Sequence, residues 1–342
     1  MKMAEMKETV ASDGCSIFGR IPANVALRAS MANRSAKWPS RPKSERIEPK
    51  CGPEFTPSFS FHEGEMIFTI GSCFARHIEI ELKGHGYQVP AFDFGVPIDE
   101  LWTGTMMRSG ALNKYTPHSM LNELEFAFNE QDPDKYLIEH SDGMFLDLQL
   151  HIDKPVTYSR ALERRLQIRE LYKNCVENAR VVIVTLGLIE SWWDDVGKVY
   201  LNETPSSHLI RRHPERFFFE QMSPYSVIDC TMKIMRTLQE HGPLDQHVIL
   251  TVSPIPFART FTQSDAIVAN SYSKAALRVA AECATQSFKN IDYYPSFESV
   301  TLSDRQLAWE DDQIHVTQDM VAFNVSRMLA RYASPAAISL SL

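Results

Sequence analysis

Residues 66–83 read Met-Ile-Phe-Thr-Ile-Gly-Ser-Cys-Phe-Ala-Arg-His-Ile-Glu-Ile-Glu-Leu-Lys, and their reading decides the fold. The apolar run at 66–70 has the pattern of a short strand buried on both faces. Gly71-Ser72-Cys73 follows at once as a turn. From Phe74 to Lys83 the spacing is helical: Ile78 and Leu82 share one stripe, and Gly84 and Gly86 end it. Residues 87–91 predict the next strand. A strand–turn–helix–strand unit of this kind starts a parallel α/β sheet.

Working outward, the same alternation recurs. A helix is predicted over 160–179, with Leu162, Leu166 and Cys175 among its apolar positions. The strongest strand, Val-Val-Ile-Val-Thr-Leu, follows at 181–186. A helix at 224–241 places Ile228, Met232, Met235 and Leu238 at helical spacing and leads to a strand at 248–252. Helices over 264–288 and 317–332 complete the pattern. The expected architecture is a three-layer α/β/α sandwich with a mainly parallel sheet. Two insertions interrupt it. Residues 92–158 hold a helix near 118–130 and a hairpin through Ser141-Asp142-Gly143, while residues 194–223 read as aromatic, charged and irregular. Both are expected to wall a pocket.

The chain has 342 residues, 44% hydrophobic and 23% charged, so a large core is within reach. A formal net charge of −8 argues against a dedicated nucleic-acid binder, and no apolar run has the roughly 20 residues a membrane helix needs. Charge is uneven: residues 1–50 carry a net +5 and the remainder −13. Residues 1–54 read as a basic, poorly ordered arm, 55–333 as one catalytic domain and 334–342 as a tail. Glu5, Glu8 and Asp13 argue against a transit peptide, and a cytoplasmic location is expected. The six cysteines, Cys15, Cys51, Cys73, Cys175, Cys230 and Cys283, form no CxxC pair, so no metal site is expected.

Two motifs carry chemistry. Parallel sheets place ligands at the carboxyl ends of their strands, and Gly71-Ser72-Cys73 presents a nucleophile there, at a helix N-terminus. Backbone N–H groups and the helix dipole would lower a thiol's pKa and hold an oxyanion. Taken alone, the turn also fits a structural glycine with Cys73 in the core. The second motif is Asp312-Gln313-Ile314-His315, just before the last helix. Its aspartate can accept from the imidazole Nδ1–H, leaving Nε2 to take a proton from a nucleophile. A cap and a surface histidine are the plainer reading.

Ile70-Gly71-Ser72-Cys73-Phe74-Ala75 resembles the name-giving motif of the GSCFA-domain family, grouped with the SGNH/GDSL hydrolase superfamily. Thr185-Leu186-Gly187, Ser253-Pro254-Ile255-Pro256, Asn270-Ser271-Tyr272-Ser273-Lys274 and the closing Asp312-x-x-His315 are also similar, so the resemblance covers about residues 55–333. It implies a flavodoxin-like fold and acyl-ester chemistry. SGNH enzymes carry Gly-Asp-Ser after the first strand, with the third residue as nucleophile. By register this is Cys73, with Ser72 as the rival; His315 corresponds to the base and Asp312 to its orienter.

The resemblance departs at the third block, where superfamily members read Gly-x-Asn-Asp. Gly187 matches, but Ile189 stands in the place of the oxyanion-binding Asn. Asn113 is the candidate replacement, and the Gly95 N–H the candidate second donor. Trp192 and Trp193 are expected at the rim, as stacking faces or as a buried pair. Arg259 is expected to meet an anion or a surface partner, and Glu190 to assist a proton or orient Arg259. His208, Arg211, Arg212 and His213 read as a solvated basic loop. The implied function is an SGNH-like acyl hydrolase or O-acyltransferase acting on a small-molecule or glycan substrate. It would have no tightly bound cofactor, with an acyl-CoA or another activated acyl donor as substrate and no nucleic-acid or membrane partner; the oligomeric state stays open. The alternative is a catalytically impaired SGNH-fold binding or scaffold module.

Overall fold

Four strands form the central sheet: β1 (Ile67–Ile70), β2 (Val181–Leu186), β3 (His247–Val252) and β4 (Ile291–Tyr293). All pair in parallel, in the order β4-β3-β2-β1. This is the α/β architecture that the residue periodicity predicts. The computed structural model describes residues 21–39, 46–100, 108–152 and 154–334. Beyond β1, Gln88 makes a single parallel bridge to Met66 and accepts from the Ile67 N–H at 2.8 Å. The strand expected over 87–91 is thus reduced to one bridge. Pro90 has no N–H to donate to a ladder and instead opens a helical turn, Pro90–Asp93. Counting the Gln88 segment, the order in chain sequence is 2-1-3-4-5, and the strand order reverses between β1 and β2.

Alternation along the buried strands divides the core into two faces. Ile67, Val181, Ile183 and Ile249 pack with helix α1 (Cys73–Gly84) and helix α6 (Gln318–Tyr332). On the other face, Phe68, Ile70, Val182, Val184, Leu186, Leu250 and Val252 pack with α2 (Pro117–Phe128), α3 (Tyr158–Asn178), α4 (Pro224–His241) and α5 (Ala266–Ser287). The result is a three-layer sandwich. Helix starts follow their caps: Thr116 and Ser119 form a capping box before Pro117, Ser223 precedes Pro224, and Thr317 caps α6.

The insertions are more regular than their composition suggests. The hairpin Leu137–Ser141 with Met144–Asp147 turns at Gly143, whose φ is +72°. The stretch 194–223, read as irregular, instead completes a three-stranded antiparallel sheet in which Glu190–Asp194 lies between Val199–Leu201 and Phe217–Gln221. His208, Arg211 and Arg212 lie in the helix Ser207–Arg212 and His213 is its C-cap, with His208 and His213 bonded to the hairpin carbonyls of His140 and Glu139. Both insertions share a third apolar cluster around Phe126, Tyr136, Leu146 and Leu201.

Part of the predicted arm is packed. Cys51 is buried, donating its N–H to Ser303 Oγ at 2.7 Å and accepting from Ser299 Oγ at 2.6 Å. The helix Ala23–Ala32 buries no residue. Residues 1–20, 40–45 and 335–342 of the arm and tail lie outside the described residues. Among the described residues no helix is long and apolar enough to cross a membrane.

Under the insertion lies a buried ionic cluster. Lys114, wholly buried, places its ammonium 2.8 Å from Glu123 and donates to the Gln149 carbonyl. Arg165 bridges Glu123 and Asp147, the latter at 3.1 Å. Glu123 stays ionised: burial pushes its pKa up, but Arg165 and Lys114 outweigh it and the net shift is down. Removing one member of such a cluster strands its partner. Lys114→Met should cost about 3 kcal/mol, the low end for a broken buried pair because Arg165 still holds Glu123. The check is the urea midpoint, which should fall at an unchanged m-value.

Candidate active site

Ser72 occupies the N-cap position of α1 in an extended conformation, yet its side chain makes no capping bond. Cys73 is the first helical residue and is half-buried. Gly71 is required between strand and helix: a Cβ there would lie 2.8 Å from Thr185 Cβ and 2.9 Å from Ala75 Cβ. The thiol does not have the lowered pKa expected of it. Burial pushes it up, against opposing contributions from the Phe74 N–H, the Ser72 hydroxyl, its own N–H and the Lys274 ammonium.

A segment of the first insertion is fixed against this turn. The Lys114 N–H donates to the Gly71 carbonyl at 2.8 Å, and the Tyr115 carbonyl accepts from the Leu188 N–H at 2.7 Å. Asn202 completes the clamp, accepting from the Tyr115 N–H and donating to the Asn113 carbonyl, both at 2.9 Å. Gly187 allows the approach, since a Cβ would fall 2.5 Å from the Tyr115 oxygen. Asn113 is thereby buried beside the turn, its amide nitrogen 3.4 Å from the Tyr115 hydroxyl and its amide oxygen without a partner.

Lys274 of α5 enters from below. Its ammonium is buried and donates to the carbonyls of Gly187 and Ile255, both at 2.7 Å. Burial lowers its pKa to about 7, and the charge of Cys73 favours the ammonium. The sequence carries a faint sign of this: Lys274 sits one turn before Leu277 on the buried, alanine-rich stripe of α5.

On the opposite side, His315 Nδ1 is 2.5 Å from Asp312 Oδ2. Asp312 Oδ1 also accepts the N–H groups of Ile314 and His315 at 2.9 Å, in a turn where Gln313 has φ +59°. The His315 N–H, then the imidazole and the Ile314 N–H, hold the Asp312 carboxyl at about 2. Its orienting role therefore persists well into acid.

A cavity of about 630 Å³ brings together Ser72, Cys73, Asn113, Gly187, Glu190, Trp192, Arg259 and His315. This is where a doubly wound sheet binds ligands, at the carboxyl ends of the strands flanking the order reversal. Asp312 lines the adjoining cavity and reaches this one through His315. Gly95 does not line it; it lies between the turns Pro90–Asp93 and Ile98–Glu100. Trp193 is also outside, because neighbouring strand residues face opposite sides. Its Nε1 donates to Asp195 at 3.1 Å, while Trp192 packs edge-on against Phe219 and Phe261. Glu190 does not orient Arg259; it accepts from Thr260 Oγ1 at 2.5 Å and the Phe261 N–H at 2.9 Å. His151, Glu203 and Asn202 have no local signal that marks them as site residues.

A model of the GSCFA family matches residues 66–328, from the lead into β1 to within α6. The chain belongs to the GSCFA family. The matched span contains the Gly71-Ser72-Cys73 turn, the clamp at 113–115, Lys274 and the Asp312/His315 pair. No curated protein matches this GSCFA chain.

The thiol environment is directly measurable. Alkylation of Cys73 by iodoacetamide, followed by peptide mapping, should be slow at pH 7 and rise with a midpoint above the ordinary value of about 8.5. Lys274→Met should slow it several-fold further at pH 7, since the ammonium favours the thiolate. A midpoint below 8.5 would contradict the burial argument.

Proposed function

We propose that this GSCFA protein is an SGNH-like acyl hydrolase or O-acyltransferase that works through an acyl group on Cys73. One observation carries the reading. A nucleophile at the N-terminus of α1, a carboxylate-oriented imidazole and a buried carboxamide line a single cavity at the point where the strand order reverses.

The raised thiol pKa selects the form of the first step. With the resting sulfur protonated, attack needs a base, and His315 Nε2 takes the proton as Cys73 Sγ bonds to the acyl carbon. The Cys73 N–H and the Asn113 amide hold the tetrahedral oxyanion, Asn113 supplying the carboxamide that Ile189 lacks. The bond to the leaving group then breaks, and His315 returns the proton to it. Water or a hydroxyl acceptor then attacks the thioester and gives its proton to an imidazole, the carbon–sulfur bond breaks, and its electron pair returns to sulfur, which is reprotonated. Phe257 and Phe261 give the acyl chain an apolar wall. A second reading, a binding module without catalysis, draws on the Ile189 substitution and the high thiol pKa.

The test is a panel of acyl-CoA thioesters and p-nitrophenyl acetate, with intact mass and peptide mapping of the protein. An acyl adduct on Cys73 is expected, absent in Cys73→Ala and slowed in His315→Ala. Asn113→Ala should slow its formation by about 100-fold. An adduct on Ser72 would move the nucleophile by one residue, and none at either position would favour the binding module.

A further inference from the structure

The cavity that holds Cys73 is lined by a second histidine–carboxylate pair. His151 Nδ1 lies 2.8 Å from Glu203 Oε1, and both residues line the same wall as Asn113 and Asn202. Neither belongs to the sheet or its turns. His151 follows the strand Met144–Asp147, and Glu203 follows Val199–Leu201, so each insertion contributes one partner.

The pair is set by backbone bonds. The Leu148 carbonyl accepts the N–H groups of both Asn202 and Glu203, at 3.0 and 2.9 Å. The His151 N–H donates to the Ala111 carbonyl at 3.2 Å, and the Tyr115 ring packs edge-on against the imidazole at 5.8 Å. A carboxylate on Nδ1 fixes the tautomer in which Nε2 is the basic nitrogen. The relation is the one Asp312 has to His315, built from residues 52 apart rather than three.

Resting on the acyl-enzyme reading, we infer that His151, oriented by Glu203, is the base for a hydroxylated acceptor and that the protein transfers its acyl group to an alcohol. Hydrolysis of an acyl-enzyme needs one imidazole, which serves first the nucleophile and then water. A second oriented imidazole has work to do when the second reactant is larger than water and is held on the insertion side of the cavity. The surroundings suit a polyol: the Trp192 ring offers an apolar face, and Glu203 and Thr204 offer polar partners. In the transfer step the acceptor oxygen bonds to the acyl carbon while His151 Nε2 removes its proton. The carbon–sulfur bond breaks and its electron pair returns to Cys73. His151 releases its proton to solvent, and the sulfur takes one back.

The experiment uses p-nitrophenyl acetate as donor and glycerol as acceptor with the full chain. The nitrophenolate burst reports acylation, and the ratio of glyceryl acetate to acetate reports how the acyl group partitions. That ratio is internal to each sample, so it does not depend on how much of a variant is folded. Wild type should give mostly glyceryl acetate at high glycerol. His151→Gln should lower the ratio about tenfold or more, within the range of a lost general base. Glu203→Gln should lower it less, and imidazole should restore it in His151→Gly. An unchanged ratio in His151→Gln, or acetate alone from wild type, would overturn the inference while leaving the acyl-enzyme intact. A missing burst in wild type would overturn the acyl-enzyme reading and this inference with it.

Discussion

The hydrogen bond from the Lys114 amide to the Gly71 carbonyl is the contact on which the site depends. It joins the first insertion to the turn after β1, and the adjoining bond between Leu188 and Tyr115 joins it to the turn after β2. The strand ends alone would offer a thiol and a glycine. With the clamp they also gain Asn113, Tyr115 and, through Asn202 and Ala111, the wall bearing His151 and Glu203. The clamp holds because the side chain of the same lysine is buried in charge. An ammonium wholly out of water is tolerated only with close partners, and Glu123 and the Gln149 carbonyl supply them. Register is therefore set by a requirement for charge pairing: shifting the segment by one residue would place Tyr115 in the ionic cluster and leave Glu123 short of a cation.

Burial sets the electrostatics of the thiol in the same way. It disfavours the charged form of Cys73 and the charged form of Lys274, while each charge favours the other. The stable resting pair is protonated thiol over a lysine that titrates at about 7. Below that pH the ammonium is present and favours the thiolate; above it the support fades as the thiol approaches its own titration. Lys274 is a positioning residue as well, because its two bonds hold the Gly187 and Ile255 carbonyls and with them the ends of β2 and of the loop after β3.

Local signals carried the sheet and half of the site. The strands are buried on both faces, so each shows as an unbroken apolar run, and α4 shows its stripe at 3.6 spacing. The Asp312/His315 pair was legible because both partners lie within one four-residue turn. The turn at Gly71 was legible because only glycine fits between Thr185 and Ala75. What failed was long-range. His151 and Glu203 meet only after two insertions pack on a shared apolar cluster, and nothing near either residue announces it. Strand alternation says that Trp192 and Trp193 face opposite sides, but which one meets the cavity is set by the pairing of Trp192 with Phe219. The turn predicts a lowered thiol pKa and burial raises it, because a helix N-terminus is visible in sequence and the depth of burial is not.

Ile189 and Asn113 illustrate how these levels meet. After Gly187 the chain does not stop as a loop bearing a carboxamide. Ile189 is buried in the core, its carbonyl accepts the Met222 N–H at 2.9 Å, and the next residue begins the central strand of the three-stranded sheet. An asparagine there would have to bury its amide among Val, Leu and Met side chains, or break the start of the strand that carries Trp192. The position is thus committed to packing by the strand it leads into. The same three-stranded sheet leads into Asn202, which holds the Asn113 backbone from one side while Lys114 holds the turn from the other. Within the proposed mechanism, the second insertion removes a hydrogen-bond donor from the strand end and helps to fix another, from the first insertion, over the same cavity.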